Sequence, residues 1–184
     1  MGFAIAESLA EAGATVDLIS GPVSININHP NITRTDVMTG QEMHDICQNI
    51  FPNTDGAIMS AAVADYTPIL VSDKKIKRKT DNFTIELRAN PDIAASLGKL
   101  KKKNQIFVGF ALETDNELQN AQKKLTKKNF DFIVLNSLQE EGAGFKHDTN
   151  KITIVDRNNN IVNFQLKSKK DVSLDIVNKI IELV

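Results

Sequence analysis

The residues from Lys74 to Lys79 form the densest basic run of the sequence, Lys-Lys-Ile-Lys-Arg-Lys. A second basic pair, Lys124 and Lys128, has the spacing that places two side chains on the same face of a helix. Lysines that converge on one point can neutralise the charge that shifts when a polyphosphate reacts. We therefore expect a polyphosphate site built from both groups. Taken alone, the run also fits a solvated charged surface, and the pair alone is weak evidence.

Two polar segments can complete such a site. Asp65 follows a predicted strand through small residues, so its carboxylate can meet a ligand's polar edge or a magnesium-bound water, or can simply cap a turn. The tripeptide Asn90-Pro91-Asp92 predicts a helix start, with Asn90 as the cap and Pro91 at the first helical position. The free N–H groups of that helix start can face a nucleotide. Structural and ligand-binding interpretations both stay open for this segment.

The remaining reactive side chains predict no metal site. His29, His44 and His147 lie in unrelated segments without metal-ligand spacing or a catalytic triad, so we expect surface or packing roles. Cys47 stands alone, which excludes an internal disulfide framework and a cysteine zinc cluster. Its place in a helical pattern indicates a small buried apolar group.

The overall composition excludes several classes of partner. The 184 residues are enough for one α/β domain, and 22 Lys and Arg against 23 Asp and Glu give no global attraction to nucleic acid or membranes. No apolar run approaches the roughly 20 residues of a membrane span, and no signal sequence precedes the first helix. We therefore expect one cytoplasmic domain.

Helical and strand patterns alternate along most of the chain, which is typical of βα units. Helices are predicted at residues 2–14, 41–50, 91–101, 118–127 and 170–183. Strands are predicted at residues 15–20, 32–37, 56–60, 83–87, 105–111 and 132–135. Thr39 and Glu42 have the spacing of a capping box. Near the end, residues 151–156 and 161–166 predict an antiparallel hairpin around an Asn-rich turn.

This order predicts an α/β domain with a mostly parallel sheet covered by helices on both faces and ligands at the carboxyl ends of the strands. Such domains normally open with a strand and a glycine-rich phosphate loop. Here Met1-Gly2 enters the first helix directly, so we expect that this strand and loop either are not needed or have been lost.

Several strings, read together and in order, resemble bacterial phosphopantothenoylcysteine synthetase. Gly144-Phe145, Asp148 and Asn150 continue the match, which covers essentially the whole chain. The other strings are Met1-Gly-Phe-Ala-Ile-Ala-Glu7, Ser20-Gly-Pro-Val23, Asp36-Val-Met-Thr39, Ala61-Ala-Val-Ala-Asp-Tyr66, Lys75-Ile-Lys77, Asn90-Pro-Asp-Ile93 and Gly109-Phe-Ala-Leu-Glu-Thr114.

The resemblance implies a three-layer Rossmann-like α/β domain over residues 1–184 that ligates 4′-phosphopantothenate to cysteine with CTP and Mg²⁺. The substrate carboxylate would attack the α-phosphate of CTP to give an acyl-cytidylate and pyrophosphate, and the cysteine amine would then displace CMP. By position, Lys75 matches the catalytic lysine that also contacts CTP. The other positions that match the family's nucleotide site are Met59, Asp65, Pro91, Asp92, Ile93, Ala94, Phe110, Lys124 and Lys128.

The resemblance also implies a homodimer, and a phosphopantothenoylcysteine decarboxylase is a candidate partner because many family members carry one in the same chain. Family members place a strand, a phosphate loop and an asparagine that handles the acyl-cytidylate ahead of the first helix. We therefore expect an N-terminally truncated domain with impaired activity. A nucleotide-binding fragment without catalysis is the alternative. A dinucleotide-binding domain fits less well, because the chain has no Gly-x-Gly-x-x-Gly string.

Overall fold

The computed structural model describes residues 1–78, 82–113, 116–137 and 148–184. Five α-helices lie along these residues, together with a 3₁₀ turn at Phe51–Asn53. The helices are α1 (Gly2–Glu11), α2 (Gly40–Ile50), α3 (Ile93–Leu100), α4 (Glu117–Lys127) and α5 (Lys169–Ile181). The strands are β1 (Val16–Ser20), β2 (Ile32–Asp36), β3 (Gly56–Met59), β4 (Tyr66–Pro68), β5 (Leu87–Ala89), β6 (Ile106–Glu113), β7 (Phe132–Ser137), β8 (Thr149–Asn150), β9 (Ile152–Asp156), β10 (Ile161–Asn163) and β11 (Lys167–Ser168).

The central sheet has five strands in the order β10-β9-β7-β6-β3. Strands β3, β6 and β7 run parallel, whereas β9 and β10 are antiparallel to their neighbours. Ile58 pairs with Val108, so the predicted strands 56–60 and 105–111 are direct neighbours in one sheet. The strands β1 and β2 form a separate parallel pair.

Alternation along the parallel strands divides the core into two clusters, one on each face of the sheet. Phe107 and Ile133 pack with residues of α2, α3 and α4, while Val108 and Phe132 pack with residues of α1 and α5. All four side chains are fully buried. The predicted three-layer Rossmann-like α/β fold, with a mostly parallel sheet and a C-terminal antiparallel hairpin, is therefore confirmed.

The segment of residues 60–90, called the arm below, connects β3 to α3. Its strands β4 and β5 form an antiparallel pair that belongs to no larger sheet among the described residues. The predicted strand 83–87 is wrong in position, because β5 begins only at Leu87 and pairs with Pro68. The apolar residues of the predicted strand are instead exposed, as Phe83 and Ile85 show.

The helix boundaries follow capping chemistry. Thr39 and Glu42 form the predicted capping box of α2. The cap predicted for the next helix is wrong: α3 begins at Ile93, and the carboxylate of Asp92 accepts the N–H of Ala95 at 3.0 Å. Asn90 does not cap the helix because its side chain is bonded elsewhere. Among the residues placed in the structure, no helix has the length and apolar character needed to cross a bilayer.

Candidate functional site

A cleft of about 210 Å³ opens at the carboxyl ends of β3 and β6. It is bounded by the start of the arm, the start of α3 and the end of α4. All predicted nucleotide-site residues except Lys75 line it, namely Met59, Asp65, Pro91, Asp92, Ile93, Ala94, Phe110, Lys124 and Lys128. The structure thus brings together residues that are far apart in sequence, at the sheet edge where parallel α/β domains place ligands. Their binding roles stay predictions.

Lys75 does not line this cleft. It lies exposed on the arm, as do its neighbours from Lys74 to Arg78. Lys79, the last residue of the basic run, falls outside the described residues. The expected convergence of the two lysine groups is therefore present for Lys124 and Lys128 and absent for Lys75 in this arrangement.

Lys128 is positioned by the close approach of α3 to the end of α4. Gly98 of α3 lies against the main chain at the end of α4, because a Cβ added to Gly98 would be only 2.2 Å from the carbonyl oxygen of Lys128. The Nδ2 of Asn129 donates to the carbonyl oxygen of Gly98 at 2.9 Å. Asn129 itself has a φ of 60°, a left-handed conformation that asparagine tolerates well. The turn after α4 is thus fixed against α3.

Asp92 and Lys128 form an ion pair within the cleft. The Lys128 Nζ lies 3.0 Å from Asp92 Oδ1, the same oxygen that caps α3. Partial burial acts to raise the pKa of Asp92, but the hydrogen bond from Ala95 and the charge of Lys128 outweigh it, so the pKa lies below its ordinary value. The carboxylate is therefore ionised at neutral pH.

Asn90 ties the arm to the start of α3. Its backbone N–H donates to the carbonyl oxygen of Asp65, and its Nδ2 donates to that of Ala64, both at 2.8 Å. These bonds hold the main chain beside Asp65, whose side chain is exposed at the cleft. Sequence reasoning missed this role because asparagine before a helix also fits a cap.

Two aromatic residues line the cleft from opposite faces of the sheet. Phe110 lines it and also packs against the core cluster next to α1 and α5. Phe130 lines it from the opposite face of the sheet, where it is buried against Phe107 with 4.6 Å between ring centroids. Phe130 was not predicted as a site residue. The only sequence signal for it is its position between α4 and β7.

The start of α1 lies at the same edge of the sheet. A Cβ at Gly2 would be 2.6 Å from the Oγ of Ser60, the residue that follows β3. This proximity places the N-terminus of α1 beside the carboxyl end of a parallel strand. Parallel α/β domains bind phosphates at such helix starts. The strand and loop expected ahead of α1 stay a prediction.

The histidines and the cysteine do not form a metal site in the part of the chain that the structure describes. His44 contacts Asp45 and Ser96, and His29 accepts a hydrogen bond from the backbone of Asn31. Cys47 is half-buried against the core, and burial raises the pKa of its thiol. His147 and the Gly144-Phe145 string fall outside the described residues.

Comparison with known proteins identifies relatives over the whole chain. The family of the DNA/pantothenate metabolism flavoprotein C-terminal domain matches residues 1–184. A protein named cysteine/cysteine sulfinic acid decarboxylase, from an unknown prokaryotic organism, is 53% identical over 184 residues, which are 100% of this chain and 51% of that protein. The coenzyme A biosynthesis bifunctional protein CoaBC of Bacillus subtilis (strain 168) is 41% identical over 183 residues, 100% of this chain and 45% of that protein.

The same relationship appears in solved structures. The C-terminal domain of a coenzyme A biosynthesis bifunctional protein CoaBC superposes with a TM-score of 0.81 and 35% identity, covering 99% of this chain and 82% of that chain. The chain spans about half the length of the two relatives matched by sequence. The chain therefore belongs to the family of the DNA/pantothenate metabolism flavoprotein C-terminal domain, whose members include proteins of coenzyme A biosynthesis.

Proposed function

We propose that this domain ligates 4′-phosphopantothenate to cysteine with CTP as the activating nucleotide. The observation that carries the proposal is the convergence of Asp65, the start of α3, Lys124 and Lys128 on one cleft at the strand ends. The similarity to coenzyme A biosynthesis proteins supports the substrate class. A free carboxylate is a poor acyl donor, so the reaction needs the mixed anhydride that a nucleotide supplies.

In the proposed first step, a carboxylate oxygen of phosphopantothenate attacks the α-phosphorus of CTP and the bond to pyrophosphate breaks. The cysteine amine then attacks the acyl carbon, loses a proton and displaces CMP. Lys124 and Lys128 would bind the phosphates and neutralise the charge that moves onto the leaving pyrophosphate. Phe110 and the main chain near Met59 would hold the base and the sugar. Lys75 would join them when the arm closes on the nucleotide.

The cleft also fits a magnesium ion that arrives with the nucleotide. Magnesium in nucleotide sites is commonly held by one or two carboxylates, with phosphates and waters as the other ligands. Asp65 supplies such a carboxylate, whereas Asp92 is engaged by Lys128. Asp65 would hold such an ion, and the ion would supply charge that offsets the negative phosphates.

We also propose that the protein is a cytoplasmic homodimer joined through the arm. Leu70 and Val71 are 84% and 83% exposed, and the other large apolar residues exposed on the arm are Tyr66, Ile69, Ile76, Phe83, Ile85 and Leu87. A two-stranded ribbon with an apolar surface is marginally stable in water by itself. A second copy presents the same strands and side chains, so a two-fold axis can pair them. A phosphopantothenoylcysteine decarboxylase stays a candidate partner.

The alternative is a catalytically impaired domain that binds a nucleotide without turnover. The exposed position of Lys75 outside the cleft favours it. The two proposals share the nucleotide site and differ in chemistry. They are therefore separated by turnover rather than by binding.

The test is pyrophosphate release from CTP in the presence of 4′-phosphopantothenate, with and without cysteine. It compares the parent with its Lys75→Gln variant. We expect release by the parent, formation of the cysteine amide only when cysteine is present, and loss of both in Lys75→Gln. Loss of one preorganised donor costs about 10²–10³ in rate, so the variant should be slower by at least that factor. CTP binding without release by the parent would favour the alternative.

A further inference from the structure

Asp92 makes two polar contacts through one oxygen atom, a hydrogen bond and an ion pair. Its Oδ1 accepts the Ala95 N–H at 3.0 Å and lies 3.0 Å from the Nζ of Lys128. The first contact caps the N-terminus of α3, and the second ties the end of α4 to it. The side chains of Asp92 and Lys128 are 50% and 24% exposed, so solvent and ligands can reach the pair.

These contacts involve two positive features at this end of the cleft. The N-terminus of α3 carries the positive end of a helix dipole, and Lys128 carries a full charge. The phosphate of a ligand would be attracted to the same two features. The Asp92 carboxylate already offsets part of both charges, and it repels any phosphate that approaches them.

We propose that the Asp92 side chain competes with the ligand's phosphate groups for Lys128 and so lowers the affinity of the cleft for anions. The inference deepens the proposed function and rests on its nucleotide cleft. It gives the Asp92 side chain a role distinct from the one expected for the main-chain turn from Pro91 to Ala94. A ligand must draw Lys128 away from Asp92, and a highly charged polyphosphate does so more readily than a single phosphate.

The opposite interpretation predicts the opposite change in anion affinity. If Asp92 mainly holds Lys128 in the orientation that a ligand needs, removing its charge will weaken anion binding. If it competes with the ligand, removing its charge will strengthen binding. The direction of the change therefore decides between the two roles.

The chain offers clean variants for this test. Asp92→Asn removes the charge but keeps an oxygen that can cap α3, and Asp92→Ser caps without an amide. Asp175→Asn is a matched control, because Asp175 pairs with Lys167 at 2.8 Å and does not line the cleft. Thermal unfolding of each variant checks that the fold is intact.

The measurement is a titration with inorganic pyrophosphate, without magnesium and at low ionic strength. We expect Asp92→Asn and Asp92→Ser to bind about two- to fivefold more tightly than the parent, as befits a partly exposed ion pair. Asp175→Asn should bind like the parent. Higher salt should reduce the difference, because it screens exposed charges.

A double-mutant cycle identifies the partner. In a Lys128→Gln background, Asp92→Asn should lose most of its effect, because the two charges act through each other. Weaker binding by both Asp92 variants, an unchanged affinity, or no pyrophosphate binding at all would overturn the inference. Tighter binding in a protein that never turns over CTP would uphold the inference and remove only the ligase assignment.

Discussion

The Nδ2 of Asn90 donates a 2.8 Å hydrogen bond to the carbonyl oxygen of Ala64, which lies 26 positions earlier in the sequence. A backbone bond from Asn90 to the carbonyl oxygen of Asp65, also 2.8 Å long, lies beside it. Together they fix the root of the arm against the start of α3. The carboxylate of Asp65 and the ion pair of Asp92 with Lys128 thereby face the same cleft.

Replacing Asn90 with alanine should weaken nucleotide binding. The variant loses the bond to Ala64, and a typical net hydrogen-bond contribution of about 0.5–1.5 kcal/mol predicts a two- to tenfold lower affinity for CTP. Calorimetric titration measures this change. Asn163→Ala removes a comparable bond with Thr153 far from the cleft and should leave CTP affinity unchanged. Equal affinities for the parent and Asn90→Ala would show that the tie does not shape the site.

Substituting alanine for Gly98 should destabilise the fold and disturb Lys128. The added Cβ would be 2.2 Å from the carbonyl oxygen of Lys128, a backbone atom that cannot move without shifting the turn. Overpacking of this kind costs about 1–3 kcal/mol, which thermal unfolding would detect as a lower Tm. Gly21→Ala is the control, because a Cβ added at Gly21 would have no neighbouring atom within 4 Å. A Tm shift no larger than that of the control would contradict the close packing of α3 on the turn.

Charges placed on the arm should dissociate the proposed dimer. Leu70→Lys combined with Val71→Lys puts two cations where the side chains are 84% and 83% exposed, so the folded monomer should tolerate them. Light scattering should then change from twice the chain mass to the single-chain 20.3 kDa. Leu183→Lys, at an exposed position near the C-terminus, should not change the mass. A 20.3 kDa species for the unmodified chain would refute the dimer.

Acid should weaken the C-terminal hairpin through Asp156. Partial burial acts to raise the pKa of this carboxyl, but hydrogen bonds from Asn160 and Asn158 outweigh it and the pKa lies below its ordinary value. A depressed folded-state pKa contributes stability above the unfolded value of about 3.9, and this contribution disappears as the pH falls through the folded value. Urea unfolding measures the free energy of unfolding between pH 7 and pH 3. This free energy should therefore fall less with acidification in Asp156→Ala than in the parent. An equal fall in both proteins would exclude the effect.

Apolar periodicity was sufficient to predict most of the fold. The strands β3, β6 and β7 are near-continuous apolar runs separated by amphipathic helices, and this local pattern specifies a covered parallel sheet. The pairing of Lys124 and Lys128 across one helical turn was equally local, so their presence in one cleft could be expected.

Features that depend on distant contacts could not be predicted. Asn90 and Asp92 are both good capping residues, and only the carbonyl oxygen of Ala64 decides that Asn90 turns away and Asp92 caps α3. The ion pair between Asp92 and Lys128 joins two helices whose packing the sequence does not display. Lys75 is a further example, because the basic run indicates a charged segment but not the position of Lys75 relative to the cleft.

The central claim is that the cleft at the ends of β3 and β6 binds CTP through Lys124 and Lys128. The most direct measurement is a CTP titration of the parent, of Lys124→Gln and of Lys123→Gln, an exposed neighbour on α4 that does not line the cleft. We expect saturable CTP binding by the parent, unchanged binding by Lys123→Gln, and about tenfold or weaker binding by Lys124→Gln, since a hydrogen bond to a charged group contributes about 1.5–3 kcal/mol. No CTP binding by the parent, or equal losses in both variants, would contradict the account.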